Sequence, residues 1–437
     1  MKTLLFLIVC GTLLQAGAPV PQVLVDDGGW CWFEDERVVL HDGKLIIGTV
    51  AAGTKDPRRK GNIEVTVVDR KTGAAKTVVL HAPAEAERRR WHDDHNSPAF
   101  WVRPDGRVLA TYSLHGVDEK KYYRISEPGD ATKWGPEQIF VPSPTSRVTY
   151  TNLHYLSAEK RLYDFFRGVH NSYKPSYLWS EDFGDTWKTG GVVIQVPTEF
   201  RHRPYVKYAS NGVDTVHLAY TEGHPRNYDN SIYHIAYKGG DLRRSDGSVI
   251  APLTQGLTRP EDGTLVYKGD KNNVAWISDL HIDKAGRPFL VFSVQKDSAG
   301  LPDGKAGEDH RYHYARWTGQ KWQQHEIAYA GSKLYPGEDD YTGNIAVDPQ
   351  DPNTVVISTN ADPDTGKRMP HRELYQGVTK DGEARFTWTA LTKDSAQDNI
   401  RPIIPIRKGG ARTILWLRGV MRTYTNYDFE VVALGVR

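Results

Sequence analysis

Residues 180–187 read SEDFGDTW. The run matches the spacing S-x-D-x-G-x-T-W. In a hairpin of this spacing the Asp side chain caps turn amides, and the Trp plugs between neighbouring sheets. Weaker relatives stand at 126–134 (SEPGDATKW), 314–322 (YARWTGQKW) and 379–388 (TKDGEARFTW). A Trp ending a strand at such intervals marks radially repeated four-stranded blades, a β-propeller. At roughly 60 residues per blade, the chain accommodates about seven.

The rest of the sequence agrees with this reading. Short apolar-alternating runs such as RVVLHDGKLIIGTVA, FWVRPDGRVLATYSL, TVHLAYTEG and RPFLVFSVQ predict strands from end to end. Asp-Gly recurs at 42–43, 105–106, 246–247, 262–263, 303–304 and 381–382, the signal of tight hairpins. The only helical stretch expected is around 82–90. The fold class is therefore all-β: a seven-bladed propeller filling 19–437 as one domain. The 437 residues carry 56 Lys and Arg against 54 Asp and Glu, a net charge of +2. So weak a field argues against nucleic acid or a membrane surface as partner. The first residues, MKTLLFLIVCGTLLQAGA, read as a signal peptide over 1–18, which predicts a secreted or periplasmic protein. Cys10 lies within it, leaving Cys31 alone and no internal disulfide. A monomer is expected.

In a propeller, ligands gather where loops meet at one end of the central channel. The candidate residues should therefore come from several blades. WHDDHNS (91–97) supplies His95 and Asn96, and His115 follows across a strand-turn-strand, which can return it to the same end. Asp93 and Asp94 are expected to cap the turn and orient a histidine, and His92 to lie at the surface. Tyr150 and Arg167 come from the next blade; Tyr205, His224 and Arg226 come from the one after. His, Tyr, Arg and Asn with few carboxylates point to an anionic ligand. The set suits β-elimination beside a uronate: Arg or Asn neutralises the carboxylate, His removes the C5 proton, and Tyr or His protonates the leaving oxygen. Hydrolysis asks instead for paired carboxylates, or for a Tyr nucleophile with an arginine triad.

The runs DDHNSPAF, DGRVLATYSLHG, LYDFFRG, SEDFGDTW, RPYVKY, YTEGHPRN, SDLHIDKAGRPFLVFS and DHRYHYARW together resemble the Asp-box (BNR-4) propeller family. That family includes ulvan lyases and related rhamnosyl-glucuronate lyases. The resemblance spans roughly residues 28–430 and is densest between 93 and 320. It implies a groove on one face and elimination without a metal or other cofactor, on an anionic polysaccharide. By motif, His95 corresponds to the base, His115 to its neighbouring histidine, Tyr150 to the catalytic tyrosine and Arg167 to the neutralising arginine. Tyr205, His224 and Arg226, with Asn96, are implied substrate contacts. Some relatives hold a structural zinc, but the region of His281, His310 and His313 has no Cys, so no metal site is expected. A sialidase-type hydrolase and a non-catalytic glycan-binding propeller are the alternatives.

Overall fold

A computed structural model describes residues 20–436 apart from 36, 170–172, 196–201, 300, 302–303, 381 and 383. The expected leader lies outside the described residues. Seven antiparallel sheets follow one another around a ring, each a meander running from the channel outwards. The innermost strands, in chain order, are Val38–His41, Ala99–Val102, Leu153–Leu156, Val206–Ser210, Val274–Ile282, Ile345–Asp348 and Asp398–Ile403. This is the seven-bladed propeller that the sequence predicts. The helical stretch shrinks to a 3-10 turn at Glu85–Glu87 and one helical turn at Arg88–Trp91.

The ring closes through its ends. Gln22–Val25 forms the outermost strand of blade 7 by pairing with Asn426–Leu434, so residues from both ends of the described chain share one sheet. Residues 28–35 then cross the front of the ring and plug the channel. Trp30 and Cys31 are fully buried there, with Trp32 and Phe33 beside them. The plug is anchored from several blades. Cys31 N donates to Asp94 O at 3.0 Å, and Lys207 Nζ donates to Trp32 O at 2.6 Å and to Asp35 Oδ1 at 2.7 Å.

The SEDFGDTW hairpin has the expected geometry. Asp182 Oδ1 accepts from Thr186 N at 2.9 Å and from Ser180 Oγ at 2.7 Å. Trp187 packs in a cluster with Leu109 and Tyr123 of blade 2 and Leu162 of blade 3, so it mortars two blades together. In the turns at Asp42-Gly43 and Asp105-Gly106, the glycines adopt φ of 71° and 76°, where a side chain would be strained.

Strand alternation sorts all connections onto two faces. Turns from the first to the second strand of each blade lie at the back. The loops leading into each first strand, and the connections from second to third, lie at the front.

Candidate active site

Every site residue expected from the sequence lies in a front-face segment. His95 sits in a 3-10 turn over Asp94–Asn96, which Asp93 caps by accepting from His95 N at 3.0 Å. His115 follows the second strand of the same blade. Tyr150 leads into blade 3, Arg167 ends its second strand, Tyr205 leads into blade 4, and His224 begins that blade's next connection.

The rings form one contiguous array. His95 and His115 stack with centroids 4.1 Å apart and planes 9° from parallel. Tyr150 lies 5.8 Å from His95 and 6.2 Å from His115. The Arg167 guanidinium lies over Tyr150 at 5.0 Å and over Tyr205 at 4.4 Å, within cation–π range. Tyr205 meets His224 edge-on at 5.4 Å. Tyr150 holds φ of 65°, a left-handed conformation costly for an aromatic residue, and such strain concentrates at working sites.

The two histidines share Asp93 but titrate in opposite directions. His95 Nδ1 lies 2.8 Å from Asp93 Oδ1 and 2.7 Å from Asp94 Oδ1. Burial opposes its charge, yet Cys31, Asp93 and Asp94 outweigh that and hold its pKa well above the ordinary value. His115 Nδ1 lies 3.0 Å from Asp93 Oδ2. Burial, then the charge of His95, pulls its pKa down in spite of Asp93. Two imidazoles can stack this closely because only one is charged. His115 is the more accessible, with 22% of its side chain exposed against 4% for His95.

The tyrosines also diverge. Burial, then Tyr205, pushes the Tyr150 phenol well up. Burial also acts on Tyr205, but Arg167 and Arg203 overcome it and lower its pKa. Two phenols beside one guanidinium thus differ in how firmly they keep their protons.

Two expectations, those for Asn96 and His92, need correction. Asn96 is fully buried; its Oδ1 accepts from His115 N at 2.7 Å and its Nδ2 donates to Trp91 O at 3.0 Å. It fixes the His115 loop to the His95 turn and has no group left for a ligand. Arg226 pairs with Glu338 of the loop leading into blade 6, closing a link between blades 4 and 6. His92 is not at the surface: it is 5% exposed and packs on Tyr427 at 4.8 Å.

Other contributors had no clear sequence signal. Arg401 of blade 7 locks the expected Asp94 in place, both side chains 1% exposed. Tyr424, from the blade 7 turn, closes edge-on over His95 at 5.1 Å. Phe33 of the plug floors the array, 5.9 Å from Tyr150 and 4.7 Å from Tyr205. The aromatic run WCWF at 30–33 is the one cue that could have flagged it. Asp340, on the same face, has its carboxyl pushed up to about 7 by burial and then by Glu338.

Ligating atoms of Cys31, Asp94 and His95, and of Asp93, His95 and His115, come close enough to hold a metal ion. Partners for the His95 turn thus stand both upstream, at Cys31, and downstream, at His115. In this structure the carboxylates of both groups already face His95, His115 and Arg401.

The sequence signature of BNR repeat-containing family members matches residues 58–330, well over half of the chain. The chain belongs to the BNR repeat-containing family. This BNR-repeat propeller also shares its fold with solved structures. One is the PL25 ulvan lyase bound to -[GlcA(1-4)Rha3S]-, with a TM-score of 0.68, 16% identity and 94% of each chain covered. Another is the polysaccharide lyase Uly1, with a TM-score of 0.59, 12% identity, and 94% of this chain and 97% of that one covered. At such identities the likeness is one of fold. No curated protein matches the sequence.

Proposed function

We propose that this BNR-repeat propeller is a secreted polysaccharide lyase, acting as a monomer on a uronate-containing anionic glycan by β-elimination. The carrying observation is Asp93, which holds two stacked histidines, one on each carboxylate oxygen. The ulvan lyase that shares the fold supports the substrate class.

Each step has a residue suited to it. A uronate carboxylate entering the array meets Arg167 and the charged His95. Together they draw off the negative charge that makes the C5 proton hard to remove. His115 donates Nδ1–H to Asp93, which leaves the Nε2 lone pair as the base. This moves the base from His95, which keeps its own proton, to His115. Tyr150 keeps its phenol proton at neutral pH and donates it to the leaving glycosidic oxygen. Tyr205, beside Arg167, holds the guanidinium in place. The C5–H and C4–O bonds break, a C4–C5 double bond forms, and no water is consumed.

The test is a continuous ultraviolet assay for unsaturated uronate on ulvan and on non-sulfated glucuronate polymers. Product from at least one of them, lost in His115→Asn, is the expected result. No product from any uronate polymer overturns the reading.

A further inference from the structure

A second cavity lies away from the histidine array. It opens on the back face, where the channel runs up to the underside of the plug, and has a volume of about 730 Å³. Its rim includes Gly212 and Lys408, both in back-face turns and exposed, and Ile406, which is 54% exposed. The underside of Trp30 and Trp32 forms its inner end. Those same residues separate it from the front-face site. Ligand cavities commonly run ~300–1,000 Å³, so this one has room for one or two sugar rings.

The inner wall carries four charged side chains, Asp35, Arg37, Lys207 and Asp279. They cancel two against two. Lys207 Nζ lies 2.7 Å from Asp35 Oδ1, and Arg37 Nη2 lies 3.7 Å from the same oxygen. Asp279 takes the Val347 amide at 3.0 Å and faces His281 at 3.5 Å. The other arginines of the wall are engaged elsewhere: Arg401 with Asp94, Arg103 with Asp185 and Arg407 with Asp348. The one lining cation with no ion pair among the described residues, Lys408, stands at the exposed outer rim, so at the inner wall an anion finds no uncommitted counter-charge.

The wall does keep hydrogen-bonding capacity. Arg37 Nε and Nη1 and Trp30 Nε1 are donors, and Asp35 Oδ2 is an acceptor; none has a partner among the described residues. His154 Nε2 is likewise unpartnered, and burial pushes this imidazole down to about 4, so it stays neutral. Buried polar atoms left in this state are destabilising, and a ligand offering both donors and acceptors relieves that. Trp101 and Tyr155 add aromatic faces to the wall. Donors, acceptors, cancelled charge and aromatic surface together match one chemistry, that of a sugar whose hydroxyls both give and accept hydrogen bonds.

We propose that the back-face channel is a second carbohydrate site, which takes a neutral mono- or disaccharide between Arg37, His154 and the underside of Trp30. This goes beyond the lyase reading and stands or falls without it, since the two sites lie on opposite sides of the plug.

Isothermal titration of the full chain with L-rhamnose, D-glucose and cellobiose tests it, with glucuronate and sulfate as charged comparators. Saturable one-to-one binding of at least one neutral sugar is expected. It should weaken at least tenfold in Ser210→Trp, which obstructs the channel, and in His154→Phe, which removes a polar partner; uronate-polymer turnover should be unchanged. No heat from any neutral sugar, binding confined to glucuronate or sulfate, or full affinity in both folded variants overturns the proposal. Should both variants fail to fold, crystals of the unaltered protein soaked in the three sugars decide. Density beside Arg37 and His154 supports the site, and density only elsewhere, or none, overturns it.

Discussion

Asp93 grips His95 and His115 with separate carboxylate oxygens, at 2.8 Å and 3.0 Å. The same carboxylate therefore orients both rings, but only His95 also has Asp94 at 2.7 Å. The extra carboxylate, together with Cys31, decides which ring keeps its proton.

That difference sets a pH profile. Burial and His95 depress the pKa of His115 below 6.5, so its base form is regained as pH rises through a point below 6.5. His95 stays charged until pH passes well above 6.5. Turnover of a uronate polymer should rise on the acid side of 6.5, then fall only where His95 finally titrates. His115→Ala should cost ~10²–10⁴ in rate. An acid limb unmoved in Asp93→Asn would show that this carboxylate does not tune the histidines.

Arg401 joins blade 7 to the His95 turn through a fully buried ion pair. Arg401→Met leaves Asp94 charged without its partner, which should cost ~3–5 kcal/mol in chemical denaturation. Combining it with Asp94→Asn should recover part of that loss. Additive losses would mean that the two groups do not act on each other.

The SEDFGDTW hairpin separates packing from capping. Trp187→Ala removes the mortar between blades 2 and 3 and should cost ~3–5 kcal/mol. Asp182→Ala removes the turn's acceptors and should cost ~1–3 kcal/mol, because its amides then reach water. Melting curves of the two variants should rank in that order.

Acid should unfold the propeller early. Burial pushes His92, His154, His217, His310 and His313 down to about 4 each. Between pH 6.5 and 4 the unfolded chain binds protons that the fold refuses, so stability is lost as pH falls through that window. Glu34 acts in the opposite direction. Burial, then Cys31, raises its pKa well above 4.5, so its contribution fades as pH rises. Glu34→Gln should therefore stabilise the protein at neutral pH, with little effect near pH 4. A melting temperature flat from pH 7 to 4 would contradict the histidine argument.

The blade count, the hairpins and the role of Trp187 were legible because they rest on local chemistry. An Asp that caps its own turn, or a Gly in a left-handed turn, needs no distant partner. The polar residues His95, His115, Tyr150 and Arg167 were legible as candidates for a related reason: strand alternation returns such loops to one face. Asn96 was misread because its burial depends on the backbone of His115, nineteen residues away, which no local pattern displays. His92 was misread in the same way, since Tyr427 covers it from blade 7.

The sequence by itself determined the repeating unit: alternating strands, Asp-Gly turns and one Asp-capped Trp hairpin specify blades, and their length specifies about seven. Only the tertiary structure decided how the ring is closed and charged. Residues 28–35 plug the channel and divide a front face from a back cavity, and Arg401 and Cys31 approach the His95 turn across hundreds and tens of residues. Protonation follows from burial and the distance to neighbouring charges, and both exist only once the seven blades have brought those residues together.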